Sequence, residues 1–168
     1  DITNFITPYT ELQFLENNDL LALNTQTGVL SNIDIVNNTQ RTIAQDITGV
    51  TTVDTIIYAL RKTPNGNELI TFSRNGDLTT AQVLSQTPSF SRAEIIVTKP
   101  KEVFILGDGT AYAINSELTK LAEGLTDWSY NPDDNSILLT SPSELHRYTV
   151  GIGLELISRS SLTYEAPL

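Results

Sequence analysis

The sequence contains no cysteine, so neither a disulfide framework nor a thiolate metal site can hold it together, and its fold must rest on packing alone. It also has no methionine and begins Asp1-Ile2-Thr3, so the chain is expected to be a processed form or a piece of a longer protein. Basic residues are scarce: ten Lys and Arg stand against twenty Asp and Glu, for a net charge of -10. Nucleic-acid binding needs clustered cations that displace counterions from phosphate, so no nucleic-acid partner is expected. His146 is the single histidine. One imidazole cannot build a metal cluster, and no Gly-x-Ser-x-Gly elbow accompanies it for a hydrolase triad. No apolar run approaches the roughly eighteen residues of a membrane span, and no signal-peptide pattern is present. Helical periodicity is almost missing as well. The best candidate, Glu117 to Gly124, fits a turn or an edge strand equally well.

What is present is a repeated pattern of apolar strand, polar or Pro-containing turn, and second apolar strand, at a size that buries a proper core. Leu12 to Leu15 leads through Glu16-Asn17-Asn18 to Asp19 to Leu23. Val53 to Leu60 leads through Thr63-Pro64-Asn65-Gly66 to Glu68 to Phe72. Ala93 to Thr98 leads through Lys99-Pro100-Lys101 to Glu102 to Leu106, and Trp128-Ser129-Tyr130 leads through Asn131-Pro132-Asp133-Asp134 to Ile137 to Leu139. These units recur roughly every 40 residues, the length of a four-stranded propeller blade.

Each unit continues into a third strand through a turn suited to a hairpin: Thr25-Gln26-Thr27-Gly28, Asn75-Gly76, Gly107-Asp108-Gly109 and Ser141-Pro142-Ser143. Third strands are expected at Val29 to Ile35, Leu78 to Gln82, Thr110 to Ile114 and Glu144 to Val150. Fourth strands are expected at Arg41 to Ala44, Val83 to Thr87, Lys120 to Ala122 and Leu154 to Ser158. The second strands are nearly continuous apolar runs, as sandwiched strands should be, while the fourth are more polar. The predicted fold is therefore all-β: a β-propeller segment of about four blades of four-stranded antiparallel sheet, at about residues 8–49, 50–88, 89–125 and 126–162. A β-sandwich would also show short, regular strands, but not the same turn chemistry every 40 residues. Asp1 to Thr7 parallels the Asp46 to Thr51 stretch, and Ser161 to Pro167 parallels Gly124 to Tyr130, so the blades read as part of a longer array or of a unit that pairs its ends with another copy.

The turn Trp128-Ser129-Tyr130-Asn131-Pro132-Asp133-Asp134, with a degraded copy at Lys62-Thr63-Pro64-Asn65-Gly66, resembles the Trp-Ser-Pro-Asp-Gly turn of WD40-like propellers of the TolB type. Ala22-Leu23-Asn24-Thr25-Gln26-Thr27-Gly28 is similar to a turn of quinoprotein propellers, but departs from it at Asn24 and lacks the Trp that usually follows. No quinone site or other cofactor is carried over. The first resemblance implies an interaction platform and a periplasmic, extracellular or cell-surface bacterial setting, a location that the Thr- and Asn-rich, Lys-poor composition also fits.

Chemistry-bearing residues mostly read as structural. Asp133-Asp134-Asn135 lacks the spacing of a calcium loop and reads as a turn, as does Asp108 between Gly107 and Gly109. Ser73-Arg74-Asn75-Gly76-Asp77 lacks the residues of a sialidase Asp box, and Asn37-Asn38-Thr39 is a bare glycosylation sequon. The aromatics Tyr58, Phe104, Tyr112, Trp128, Tyr130 and Tyr148 are expected between sheets. No catalytic, cofactor or metal residue is assigned. Function is expected at the loops before the first strands, with Pro8, Tyr9, Thr51, Thr52, Ser89, Phe90, Arg92, Thr126 and Asp127 as candidate contacts to a protein partner. The alternatives are a homo-oligomeric or fibre-forming subunit that pairs exposed end strands, and a carbohydrate-binding module or hydrolase fragment.

Overall fold

In the computed structural model, the described residues are 11–15, 19–73, 81–91, 93–99, 101–115 and 117–159. Among them are sixteen strands and no helix. They form four four-stranded antiparallel sheets, each in chain order. The first contains β1 (Glu11–Phe14), β2 (Leu20–Asn24), β3 (Val29–Asp34) and β4 (Thr39–Ala44). The second contains β5 (Ile47–Val53), β6 (Ile56–Thr63), β7 (Gly66–Ser73) and β8 (Gln82–Thr87). The third contains β9 (Ala93–Val97), β10 (Val103–Gly107), β11 (Thr110–Ile114) and β12 (Leu118–Glu123). The fourth contains β13 (Asp127–Asn131), β14 (Ser136–Thr140), β15 (Glu144–Thr149) and β16 (Gly153–Arg159). The stretch with weak helical character thus contains the whole of the edge strand β12, where Leu118 and Leu121 lie half-buried.

Short turns close the hairpins where small polar residues tolerate positive φ. Asp54 (φ 55°), Asp108 (φ 49°) and Asn135 (φ 52°) each take that conformation. Every third-to-fourth strand pair carries a register shift at a matching place, between Leu30 and Ser31, Leu69 and Ile70, Ala111 and Tyr112, and Leu145 and His146. The repeat is therefore one of irregularity as well as length, because a bulge increases local twist and bends the strand that bears it.

The second sheet corrects the sequence reading by one strand. Val53 to Leu60 was expected to be its first strand, but the first strand is β5, and the Pro64-Asn65 turn joins its second and third strands, β6 and β7. The Pro64 turn is therefore not the counterpart of the Pro132 turn, which joins the first and second strands, β13 and β14, of its sheet. The cause is composition: Ile47-Thr48-Gly49-Val50-Thr51-Thr52-Val53 is too polar to read as an apolar run, yet its β-branched residues suit a pleated, half-buried strand. The expected Asn75-Gly76 turn lies outside the described residues, as does most of the expected Leu78 to Gln82 strand.

The chain divides into two compact units, Asp1–Ile95 and Ile96–Leu168. In the first, one face of each of the first two sheets meets in a core of Leu21, Leu23, Leu30, Ile43, Ile47, Val50, Ile57, Ala59, Ile70 and Phe72. Complete burial of each large aliphatic side chain stabilises by about 1.5–3 kcal/mol, before the chain entropy that opposes it. A polar clamp registers the two sheets: the Gln13 amide donates to the Val50 carbonyl at 3.1 Å and accepts from the Thr52 hydroxyl at 3.2 Å. The other face of the first sheet buries Leu20, Ala22 and Ile33. Further along, a Cβ on Gly49 would overlap the carbonyl oxygen of Ala93, so that β5 position admits only glycine at this separation. In the second unit, Phe104, Leu106, Ala111, Ala113, Leu125, Ile137, Leu139 and Tyr148 form the core, with Phe104 and Tyr148 edge to face at 5.1 Å.

Candidate functional site

In both units, the segment leading into a blade is tied by its backbone to the turn between second and third strands of the blade before. The Ile47 amide donates to the Gly28 carbonyl at 2.9 Å, and the Leu125 amide donates to the Gly109 carbonyl at 2.8 Å. The same segments are tied to the blade they lead into. Lys62 donates its amide to the Asp46 carbonyl at 2.7 Å, and Thr126 donates both its amide and hydroxyl to the Thr140 carbonyl. A rim built this way spends its backbone groups internally, which fixes its shape and leaves most of its side chains for solvent.

Glycine makes the close approach possible. Gly28, Gly66 and Gly109 each stand just before or at the start of a third strand, with φ of 69°, 135° and 73°. At Gly66 an added Cβ would lie 2.5 Å from the Thr87 carbonyl oxygen, and at Gly109 it would lie 3.1 Å from that of Leu125. This recurring glycine is the signal in the sequence that sets the frame of the second blade, at Asn65-Gly66.

On the first unit, the rim carries an open depression lined by Arg61, Lys62, Thr63, Pro64, Asn65, Glu68 and Gln86. Its charges are mostly satisfied. Arg61 pairs with Glu68 through Nη2 at 2.5 Å and Nε at 3.2 Å, and the Gln86 amide donates to the other Glu68 oxygen at 2.9 Å. Hydrogen bonds from Arg61, and then from Gln86, hold the Glu68 carboxyl below its ordinary value. Lys62, Pro64 and Asn65 are exposed around it. The second unit carries a smaller depression, about 220 Å³, at Thr140, Ser141, Pro142, Ser143, Glu144, Leu145 and Ser158. There Ser141 closes its turn by accepting the Glu144 amide at 3.1 Å, while Arg159 grips Glu144 from β16.

The residues expected at the rim separate when placed. Ser89, Thr126 and Asp127 are exposed, and Asp127 opens β13 with a carboxylate oxygen accepting the Trp128 amide at 2.8 Å. Phe90 is buried, at 4% exposure, so its side chain belongs to the interior. Thr51 and Thr52 are half-buried residues near the far end of β5, and Thr52 serves the Gln13 clamp. That placement corrects the expectation that they lie in a loop. Pro8, Tyr9 and Arg92 lie outside the described residues. The exposed positions that the sequence did not single out, Lys62, Pro64 and Asn65, follow from the one-strand shift in the second sheet.

Elsewhere the acidic turn is self-contained. Asp134 accepts the Ser136 hydroxyl at 2.6 Å and the Ser136 amide at 3.0 Å, and the Tyr130 hydroxyl donates to Asn135. These bonds, the Ser136 hydroxyl's first, lower the Asp134 carboxyl, whereas burial, followed by the Asp134 charge, raises the Tyr130 hydroxyl. His146 is half-buried on β15 with its Nε2 3.6 Å from Glu144. Among the described residues no three His, Asp or Glu side chains converge as a metal site requires. No helix among them is long and apolar enough to cross a membrane.

Four-stranded antiparallel sheets in chain order, hydrogen-bonded at the junctions of the first with the second blade and of the third with the fourth, define a β-propeller fold with four blades in this chain. Solved structures agree. The chain is similar to one in the S. cerevisiae complex of dbp5 with nup159, gle1, IP6 and ADP, with 16% identity, a TM-score of 0.59, and coverage of 93% of this chain and 55% of that one. It is similar to the N-terminal domain of Nup159, with 17% identity, a TM-score of 0.55, and coverage of 91% and 52%. It is also similar to a streptogramin B lyase, with 13% identity, a TM-score of 0.62, and coverage of 90% and 54%. The chain thus spans about half the length of these proteins. No protein-family model matches it, and no curated protein matches it in sequence.

Proposed function

We propose that this chain is a non-enzymatic propeller scaffold whose rim, formed by blade-leading segments and second-to-third-strand turns, holds a protein partner. The observation that carries this reading is the division of labour at the rim. Its backbone is hydrogen-bonded inward at Ile47, Lys62, Leu125 and Thr126, while Lys62, Pro64, Asn65, Ser89, Thr126 and Asp127 face solvent. Rigid loops lose little entropy on binding, so such a surface suits recognition of a folded partner. The open, mixed-polarity depressions also fit a protein surface better than a small molecule, which favours an enclosed apolar cleft. A propeller solved in complex with other proteins offers a parallel. The lyase of the same fold shows that propellers also carry chemistry, and the non-enzymatic reading here rests on residues such as His146, which lies on a strand beside Glu144.

The setting belongs to the same proposal: an exported or surface protein of a bacterium, supported by the low Lys and high Thr and Asn content. The test is to replace Lys62, Asn65, Ser89 and Asp127 with alanine and compare partner retention and melting temperature with the parent chain. Loss of retention with the melting temperature held within about 2 °C supports the proposal. Retention intact alongside a large fall in stability would sink it.

A further inference from the structure

The bulge in each third-to-fourth strand pair lets the blades be matched residue by residue. In the first blade the row at the bulge is Leu23, Leu30 and Ala44, with Ile43 as the extra residue and Leu21 two places away on the same face of β2. All five are at 5% exposure or less and belong to the core shared with the second sheet. In the third blade the same positions hold Leu106, Ala111, Ala122, Leu121 and Phe104. These five pack into or against the core that holds Ile137, Leu139 and Tyr148 of the fourth blade. Within each compact unit, therefore, this forward face of one blade is covered by the rear face of the blade that follows it.

In the fourth blade the same positions fall to Thr140, Leu145, Ser158, Ile157 and Leu138. None of them is buried: Leu138 is 37% exposed and Ile157 45%. Ile157 keeps the aliphatic character of Ile43 and Leu121 at the bulge, although a strand edge meant for water favours polar or charged side chains. Arg147 and Glu155 lie in the Leu138 row, at the positions of Asn32 and Arg41 in the first blade. Arg41 is exposed there while Leu21 in its row is covered, so a charge at that place is compatible with a docked sheet. Arg147 and Glu155 also pair with each other, Nε 2.6 Å from Oε1, which leaves no net charge in the row. The turn matches as well. Four residues separate the bulge partners in both blades, Gly107 to Thr110 and Ser141 to Glu144, and Ser143 stands where Gly109 accepts the Leu125 amide.

We infer that the forward face of the fourth blade is a docking face for one further four-stranded blade. The rear face of that blade carries large apolar side chains at alternate positions, as Ile137, Leu139 and Tyr148 do. Stacked repeats bury their apolar faces only against a neighbour of the same kind, and sheets packed face to face cover a whole row of side chains at once. This surface is separate from the rim, and the inference does not rest on the rim proposal.

The chain has no cysteine, so Leu138→Cys and Ile157→Cys each introduce a single thiol whose reaction with a maleimide reports on this face. The probe blade is a second copy of residues 124–159 joined directly after Arg159. Arg159 pairs with Glu144 as Glu123 pairs with Thr110, so the copy begins in phase. In the parent chain both thiols should label readily, as should that of Ile152→Cys, a position 81% exposed in the turn before β16. In the extended chain, labelling at Leu138→Cys and Ile157→Cys of the original blade should slow by about tenfold or more, as for a side chain that must wait for local opening. Ile152→Cys of the original blade, and Leu138→Cys placed in the added copy, should label as in the parent. Unchanged labelling at the original Leu138→Cys and Ile157→Cys overturns the inference, whether the added blade folds apart from the face or does not fold. Labelling in the parent that slows as its own concentration rises also overturns it, because the face would then belong to a second copy of the chain.

Discussion

Gly66→Ala is the sharpest probe of the blade junction. Gly66 has φ 135°, a conformation that side chains rarely adopt, and a Cβ there would sit 2.5 Å from the carbonyl oxygen of Thr87. The carbonyl cannot retreat cheaply. Thr87 is the cross-strand partner of Asn67, its hydroxyl donates to the Asn67 carbonyl at 3.3 Å, and both residues are buried. Backbone strain costs about 1–3 kcal/mol and overpacking about 1–3 kcal/mol more, against a gain of about 0.4–1 kcal/mol from a stiffer unfolded chain. Gly124→Ala supplies the control, because Gly124 also has positive φ, 69°, but no atom within 4 Å of the built Cβ. It carries the strain without the overlap. The Gly66 variant should therefore be the less stable of the two by about 2–3 kcal/mol. At roughly 2–4 °C per kcal/mol for a chain of this size, that separates the melting temperatures by about 5–10 °C in parallel thermal scans. Equal melting temperatures would refute the claim that backbone contact at this junction, and not φ alone, demands glycine.

Gln13→Ala removes both bonds of the clamp between the first two sheets and leaves the Thr52 hydroxyl and Val50 carbonyl to find new partners; urea unfolding should show a loss of about 1–2 kcal/mol. Glu68 titrates in the direction opposite to a histidine switch. Its folded pKa is depressed, so its stabilising contribution is present above the unfolded carboxyl value and is lost as pH falls through the folded one. Melting scans from pH 7 to pH 3 should show a smaller acid-side fall for Glu68→Gln than for the parent; identical profiles would rule out the Arg61–Glu68–Gln86 network as a source of acid sensitivity. Asn135→Ala removes a residue that favours φ 52° and the acceptor of the Tyr130 hydroxyl, so it should cost about 1–2 kcal/mol by chemical denaturation.

Much of the fold was legible in the sequence, and the failures share one cause. Thirteen of the sixteen strands lie where local pattern puts a strand of the same rank in its blade; β5, β6 and β7 are the exceptions. The expected acidic turn at Asp133 and Asp134 is a turn, held by its own Asn131 and Ser136. What failed was the phase of the second blade. The Thr-rich β5 has no apolar run to announce it, and its identity depends on Val50 and Ile47 entering a core shared with the first sheet. The candidate site moved with that phase: Thr51 and Thr52 left the rim, and Lys62, Pro64 and Asn65 joined it.

The sequence by itself determined the strands, their alternation and their turns, because a pleat of period two and a positive φ are properties of a few adjacent residues. Only the tertiary structure decided which faces those strands cover. Leu138 and Leu139 are neighbours of the same residue type in one strand, yet one is 37% exposed and the other 1%. Nothing local separates them, since burial depends on whether another sheet lies against that side. Phe90 likewise reads as a loop aromatic from its neighbours, yet it is buried, at 4% exposure.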